Sequence, residues 1–276
     1  MYTEIKTKNN DIKLLIADFV ELTQKSFPNA LVSIYVMGSL ARGGFSESAS
    51  DIDLGIIYDK PSHNTEEIFS NIKEELKQKY NLIKNNISIF YGSISEINNK
   101  KGSFRYPPFD RLDLIKHALL ISGNEVRQKL IEPNKEELLI ATANFALGYL
   151  ATEIRIRECK NPMLIIDKGL TYLTKTILFP VRFIYFEKTD SISGNDVSVN
   201  YYLNHFETNE KELVRYGFGL RNNKEISTEA IELLKKYLIP LYLRFIDIYI
   251  PVLSKYNKQD LVNEFQQWRK KLITVE

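Results

Sequence analysis

The 276-residue chain contains few of the residues that build disulfides and zinc sites. It has one cysteine, Cys159, and three histidines that lie far apart in the sequence, His63, His117 and His205. A single cysteine excludes an intramolecular disulfide framework and a cysteine-rich zinc site. The histidines lack the HExxH spacing, so a histidine-based metal site is not favoured either. We expect Cys159 to be a small, buried or half-buried thiol in a cytoplasmic protein.

An excess of charge and a long uninterrupted apolar run are also missing. Lys and Arg number 37 against 35 Asp and Glu, a net charge of +2. This balance does not favour nucleic-acid binding over a broad basic face. The apolar stretches 177–186 and 238–253 are interrupted by Arg182, Arg244 and Asp247, and the N-terminus does not resemble a signal peptide. We therefore predict no nucleic-acid partner, no membrane span and a cytoplasmic location.

The first hundred residues alternate between helical and strand-like patterns. The chain as a whole is 44% apolar and 26% charged, which is typical of a folded protein. Apolar periodicity and runs of β-branched residues predict helices at 11–26 and 64–80 and strands at 31–37, 51–58 and 86–91. The paired prolines within 103–111 predict a loop. Residues 112–121 are predicted to be helical, followed by a charged linker.

Beyond Lys135 the apolar pattern is almost entirely helical. The predicted helices lie at 136–159, 165–187, 209–222, 228–255 and 258–272. Pro133 and neighbouring charges interrupt the pattern and mark a domain boundary. We therefore predict an α+β protein, with an N-terminal α/β domain at 1–133 and a C-terminal helical bundle at 134–276.

The most informative stretch, VMGSLARGGFSESASDIDLGIIYD at 36–59, begins with a glycine–serine turn. Gly38 follows a predicted buried strand, and glycine lets the backbone approach a ligand closely. Ser39 can cap the short helix that follows and offer its hydroxyl to a phosphate. Arg42 lies three residues later, on the same helical face. This order of residues is typical of a phosphate-binding turn.

Two aspartates open the next predicted strand. Alternate residues of a strand point to the same side, so Asp51 and Asp53 project together while Ile52 points into the core. Neighbouring carboxylates repel each other unless a cation bridges them, and Mg²⁺ binds one or two carboxylates plus substrate phosphates. Each feature alone is more often a solvated strand entry or an ordinary turn. Together they predict a Mg²⁺–triphosphate site.

The combined motif resembles that of the DNA polymerase β-like nucleotidyltransferase superfamily, in particular its antibiotic-modifying, aminoglycoside-type members. The matching residues are Gly38, Ser39, Arg42, Gly43, Ser50, Asp51, Asp53 and Leu54. The resemblance is tight over residues 30–60 and looser to about 135. It implies an N-terminal nucleotidyltransferase domain with a mixed sheet, followed by a helical domain.

The resemblance also implies roles for these residues. Gly38 and Ser39, together with Arg42 and Ser50, would bind the nucleotide. Asp51 and Asp53 would be the catalytic pair and would ligate Mg²⁺ or Mn²⁺, with ATP or another nucleoside triphosphate as donor. The implied reaction transfers a nucleoside monophosphate, AMP in the first instance, to a hydroxyl of a small molecule such as an aminoglycoside. For Arg42, a surface ion pair is the alternative.

Two positions depart from the superfamily pattern. Active members carry a third carboxylate on a later strand, but the corresponding register falls on Ser88, and no Asp or Glu occupies 82–95. In the kanamycin-modifying members the second domain supplies a glutamate base and a lysine, where this sequence has Gly148 and Thr152. Glu153 is a substitute base if its helix turns it inward, and a partly exposed helix charge otherwise.

The functional hypotheses therefore belong to different classes. The first is an enzyme, a Mg²⁺-dependent nucleotidyltransferase involved in antibiotic resistance. The second is a nucleotide-binding regulatory protein that has lost turnover, which the missing third carboxylate allows. The third is an antitoxin-type adenylyltransferase that modifies a partner protein. The apolar C-terminal helices would permit a homodimer in any of these cases.

Overall fold

The computed structural model describes residues 5, 7–60, 64–81, 83, 86–222 and 225–274. His63 lies outside the described residues. The chain divides into two compact units, one extending to Pro133 and the other beginning at Asn134. The first contains every strand of the described chain, and the second consists of helices and the segments that join them.

The N-terminal unit combines four strands with five α-helices over its described residues, followed by a short 3-10 helix at Arg127–Lys129. Its elements in chain order are α1 (Asn10–Ser26), β1 (Leu31–Val36), α2 (Gly38–Arg42), β2 (Ile52–Tyr58), α3 (Thr65–Lys79), β3 (Ile87–Ser93), α4 (Ile94–Asn99), α5 (Pro108–His117) and β4 (Leu119–Gly123). The strands form one sheet in the order β3-β2-β1-β4. Strand β1 is antiparallel to β2 and β4, whereas β2 and β3 are parallel. The predicted mixed sheet is confirmed.

The two faces of the sheet pack against different parts of the unit. Ile34, Ile52 and Leu54 point to one face, where they form a core with apolar residues of α1 and α3. Strand alternation places Asp53 on the opposite face. That face holds a second core, which includes Leu114 of α5. The site aspartate therefore lies on the face that α5 covers.

The predicted helix at 112–121 is wrong in its second half. Helix α5 ends at His117, and Leu119–Gly123 form strand β4 along the free edge of β1. The segment is too short for its apolar residues to distinguish a buried strand from a helix. The paired prolines begin a helix, since Pro108 is the first residue of α5 and a missing N–H costs nothing at that position.

The C-terminal unit contains eight α-helices among its described residues. They are α6 (Lys135–Phe145), α7 (Glu153–Lys160), α8 (Met163–Ile166), α9 (Leu170–Thr189), α10 (Asn195–His205), α11 (Lys211–Gly219), α12 (Glu229–Lys255) and α13 (Gln259–Ile273). The helical C-terminal region predicted from periodicity is confirmed. The predicted single helices 136–159 and 165–187 are each interrupted, the first by a π-helical segment at Ala146–Leu150. Helix α10 was not predicted.

Helix α12 is, among the described residues, the one helix long and apolar enough to cross a membrane by length and composition. Its apolar face packs against neighbouring helices, chiefly α13 and α9. Leu234, Leu238 and Phe245 are completely buried there. These contacts are those of the central helix of a bundle. Cys159 on α7 is buried as well, as predicted.

Candidate functional site

The glycine–serine turn and Asp53 are in direct contact. The amide of Met37 donates a hydrogen bond to the backbone oxygen of Asp53 at 2.9 Å, which joins the end of β1 to β2. Gly38 follows with a φ of +63°. A Cβ atom on Gly38 would lie 3.1 Å from Cγ of Asp53 and closer still to its Oδ2. Only glycine fits here, because both the backbone angle and the neighbouring carboxylate exclude a side chain.

Arg42, at the other end of α2, forms an ion pair, as in the alternative interpretation, but the pair is largely buried and does not lie on the surface. Its guanidinium Nη1 donates to Oδ1 of Asp113, and the side chain of Arg42 is only 17% exposed. The second carboxylate oxygen of Asp113 accepts a 2.7 Å hydrogen bond from the backbone amide of Gly38. Asp113 therefore contacts both ends of α2. The sequence motif contains no signal for it, since Asp113 lies on α5, far along the chain.

The loop between α2 and β2 is closed by Ser50. Its hydroxyl accepts a 3.0 Å hydrogen bond from the amide of Ser46, and its own amide donates to the backbone oxygen of Ser46 at 2.9 Å. Ser50 is buried. The contacts of this serine shape the loop that leads into Asp51, and its predicted contact with nucleotide stays a prediction.

The two aspartates lie at the entry to β2, and Ser88 lies on the neighbouring strand β3. Asp51 lies one residue before β2, Asp53 is the second residue of the strand, and both are half-buried. In the parallel pairing of β2 with β3, Asp53 lies directly opposite Ser88. Paired residues of neighbouring strands point to the same side. Ser88, the residue expected at the third-carboxylate position, therefore lies next to Asp53.

The donor set matches a Mg²⁺ ion that keeps several waters. Among the described residues there is no group of three or more His, Cys, Asp and Glu side chains that could hold a metal ion by itself. Mg²⁺ is commonly bound by one or two carboxylates, with water and substrate phosphates completing its octahedron. Asp51 and Asp53 fit that kind of site, and they do not fit one built entirely from protein ligands.

Two basic residues outside the motif, Lys73 and His117, interact electrostatically with residues of the site. Burial lowers the pKa of Lys73 on α3, Lys77 and Arg105 lower it further, and Asp51 acts in the opposite direction. Burial also lowers the pKa of His117, where the charge of Asp113 opposes the effect and that of Arg42 adds to it. Lys73 and His117 are therefore within electrostatic range of the site, although the sequence motif includes neither.

The candidate base in the helical unit is not turned inward. Glu153 is the first residue of α7, its side chain is 76% exposed, and it pairs with Lys271 of α13. The alternative interpretation of an exposed helix charge is therefore correct. Thr152, one residue before it, caps α7 by accepting from the amide of Arg155 at 3.3 Å. Serine, threonine and aspartate are favoured at that position because their oxygens satisfy free amides of the first turn.

Comparison with known proteins agrees with this geometry. Residues 4–104 match a family model described as Nucleotidyltransferase domain. No curated protein gives a significant match to the sequence. Among solved structures, the chain is similar to spectinomycin adenyltransferase AAD(9) from Enterococcus faecialis, whose structure was solved with ATP and spectinomycin. The TM-score is 0.59 at 16% identity, over 82% of this chain and 97% of that chain.

At that identity the structural match concerns the fold. The family match covers the segment that contains the glycine–serine turn, both aspartates and Ser88. Residues 4–104 of the N-terminal unit therefore match a nucleotidyltransferase domain, and the fold of the chain, with a helical region after that unit, is similar to that of the spectinomycin adenyltransferase.

Proposed function

We propose that this protein is a Mg²⁺-dependent nucleotidyltransferase that moves AMP from ATP onto a hydroxyl group of a small molecule. The observation that carries the proposal is the contact between Gly38 and the carboxylate of Asp53. This contact brings the phosphate-binding turn of the motif next to the predicted metal ligand. Asp51 lies two residues before Asp53, at the entry to the same strand.

The residues of the site divide the work of nucleotidyl transfer. The Gly38–Ser39 turn would hold the phosphates, and Asp51 and Asp53 would hold Mg²⁺. When bound, Mg²⁺ would neutralise negative charge on the phosphate oxygens during in-line attack by the acceptor hydroxyl. Gly38 fixes the position of Asp53 through direct contact. Arg42 adds a positive charge, which Asp113 orients.

The acceptor we propose is a hydroxylated antibiotic of the aminoglycoside or a related class. The structural neighbour was solved with ATP and spectinomycin, which supports ATP as donor and spectinomycin as the first acceptor to test. An ATP-dependent role in antibiotic resistance is consistent with a cytoplasmic location. We propose a nucleotide and a small molecule as partners, with no nucleic acid. Measurement of the molecular mass in solution distinguishes a monomer from a homodimer.

Ser88 favours a second candidate function. With a hydroxyl in place of the third carboxylate, opposite Asp53, the domain would bind nucleotide and metal without efficient turnover. A protein of this kind would regulate a process by binding ATP rather than by consuming it. This candidate requires the same contacts with nucleotide and differs from the first in chemistry alone.

The experiment that tests the proposal measures binding and turnover separately. Thermal shift with Mg²⁺ and each of four nucleoside triphosphates identifies the donor, because ligand at a hundredfold over Kd stabilises the fold by about 2.7 kcal/mol. Pyrophosphate release is then followed with spectinomycin, streptomycin, kanamycin and lincomycin. Asp53→Asn is expected to abolish turnover. Asp59→Asn is the matched control, because it is the same substitution at an exposed position just beyond β2.

A further variant separates the two candidate functions. Ser88→Asp places a carboxylate opposite Asp53. If the wild type binds ATP and releases pyrophosphate with an acceptor, it is an enzyme. If the wild type binds ATP without turnover and Ser88→Asp creates turnover, the regulatory candidate is favoured. Absence of binding with all four nucleotides, with or without acceptor, refutes both.

A further inference from the structure

We propose that Asp113 is the positioning residue of the nucleotide site, holding the phosphate-binding turn and Arg42 in place. This inference rests on the proposed function. The carboxylate of Asp113 lies outside the sequence motif and orients the Gly38 amide and the Arg42 guanidinium, two groups of the proposed nucleotide site. Asp113 acts through Gly38 and Arg42 and is not itself assigned a contact with nucleotide.

The geometry of Asp113 is that of a bridge. Asp113 is only 6% exposed, and each of its carboxylate oxygens has a different partner on α2. Oδ2 accepts from the amide of Gly38 at 2.7 Å, and Oδ1 pairs with Nη1 of Arg42. The first and last residues of α2 are thus tied to one side chain of α5. Hydrogen bonds to a charged group are the stronger kind, and a buried carboxylate needs them.

Helix α2 requires such an external support. It has five residues, and a helix of this length is unstable by itself because nucleation is unfavourable. The residue before it does not cap it, since Met37 makes no side-chain cap hydrogen bond. Asp113 supplies the acceptor that Gly38 needs at the start of the helix. The position of Gly38 in turn determines the position of Asp53, which packs against it.

His117 lies within electrostatic range of the ion pair between Asp113 and Arg42. Arg42 faces Asp113 from α2, and His117 and Lys116 lie on α5 itself. Burial and the charge of Arg42 lower the pKa of His117, while Asp113 opposes them. His117 is therefore neutral at pH 8, and experiments at that pH test the contact between Arg42 and Asp113 without a second titrating group.

The test is the affinity for Mg²⁺–ATP of full-length variants at pH 8. Asp113→Asn removes the negative charge that holds Arg42. The side-chain amide has one oxygen, so it cannot accept hydrogen bonds from both the Gly38 amide and Arg42 in the way the two carboxylate oxygens do. We expect the Kd and the KM for ATP to rise about tenfold or more, with the KM for the acceptor unchanged. A variant that merely leaves part of the sample unfolded lowers kcat and does not change the KM for ATP. Asp59→Asn is the matched control and is expected to bind like the wild type.

Asp113→Glu is the second variant, for the case in which Asp113→Asn does not fold. Glutamate keeps the negative charge, but its longer side chain cannot meet the Gly38 amide and Arg42 in the same positions, so we expect a severalfold rise in the same Kd. Wild-type affinity in every folded variant refutes the positioning role and leaves the proposed function standing. If the wild type binds no nucleoside triphosphate at all, the proposed function fails, and the positioning role fails with it.

Discussion

The contact between Gly38 and Asp53 can be broken by adding one methyl group. Gly38→Ala adds a Cβ atom that would lie 3.1 Å from Cγ of Asp53 and within 3.0 Å of its Oδ2. Atoms do not approach so closely, so Asp53 or the turn must move. The obstructing atoms belong to the short carboxylate side chain, which has few rotamers by which to avoid the methyl group. We therefore expect the substitution to displace the predicted metal ligand.

Gly38→Ala is expected to lower both the stability and the activity of the protein, by two separate effects. The positive φ of +63° at Gly38 costs an alanine roughly 1–2 kcal/mol of folding free energy. For a domain of this size that corresponds to a decrease of several degrees in Tm. The displacement of Asp53 acts on function, since a misplacement of about 1 Å at a reacting centre can cost on the order of a hundredfold in rate. Loss of activity is therefore expected to exceed the loss that unfolding explains.

Gly44→Ala separates the two effects. Gly44 also has a positive φ, +79°, but a Cβ atom there meets no atom within 4 Å. The backbone cost is therefore similar, and the collision is absent. We expect both alanine variants to lose similar stability in thermal unfolding. Only Gly38→Ala is expected to lose Mg²⁺–ATP binding in a titration calorimeter and pyrophosphate release in a coupled assay.

One result would show that this reasoning is wrong. If Gly38→Ala binds Mg²⁺–ATP with the affinity of Gly44→Ala, the contact with Asp53 does not determine the site. If Gly38→Ala folds only at reduced temperature, it is compared with Gly44→Ala at that temperature. Equal binding by that variant and by Gly44→Ala has the same consequence.

Two further predictions concern the helical unit. Burial alone raises the pKa of Glu158, but hydrogen bonds from Lys168 and Tyr172 and the charge of Arg155 outweigh it and hold this pKa below the ordinary 4.5. The ionised carboxylate therefore stabilises the fold above pH 4.5, and this stabilisation is lost as the pH falls below that value. In urea unfolding, the free energies of unfolding of wild type and Glu158→Gln should converge in acid. Parallel pH curves for the two proteins would contradict this. Burial raises the pKa of the Cys159 thiol to about 12, so Ellman's reagent at pH 8 should label it only after denaturation, and rapid labelling of the native protein would be inconsistent with the buried position.

The part of the site that a local motif encodes could be predicted from the sequence. Gly38, Ser39 and Arg42 belong to one turn and one short helix, and Asp51 and Asp53 to one strand entry. Residues so close in sequence have few alternative arrangements, so spacing determines which side each one faces. The expectation that Ser88 stands at the third-carboxylate position came from the resemblance to the superfamily, and the structure adds that Ser88 pairs with Asp53.

The part that depends on distant contacts could not be predicted. Asp113 reaches Gly38 across 75 residues of sequence, and it lies in a segment where the helix was correctly expected but its partner was unknown. Strand β4 was missed because the pattern of its five residues fits a helix as well as a strand. Only its hydrogen bonds to β1, which the sequence does not show, identify it as a strand. Glu153 was left open for the same reason, since periodicity does not show which neighbour a charged helix residue meets. Its partner Lys271 lies more than a hundred residues later.

The serine opposite Asp53 also affects how metal binding and nucleotide binding depend on each other. A third carboxylate would add negative charge beside Asp53 and would strengthen the attraction for a divalent cation before any nucleotide arrives. With Ser88 in that place, the protein offers two carboxylates and a neutral hydroxyl. The missing negative ligands must then come from the triphosphate itself. If the proposed function is correct, we expect metal and nucleotide to bind together, so that neither Mg²⁺ alone nor ATP alone stabilises the protein as much as the two combined.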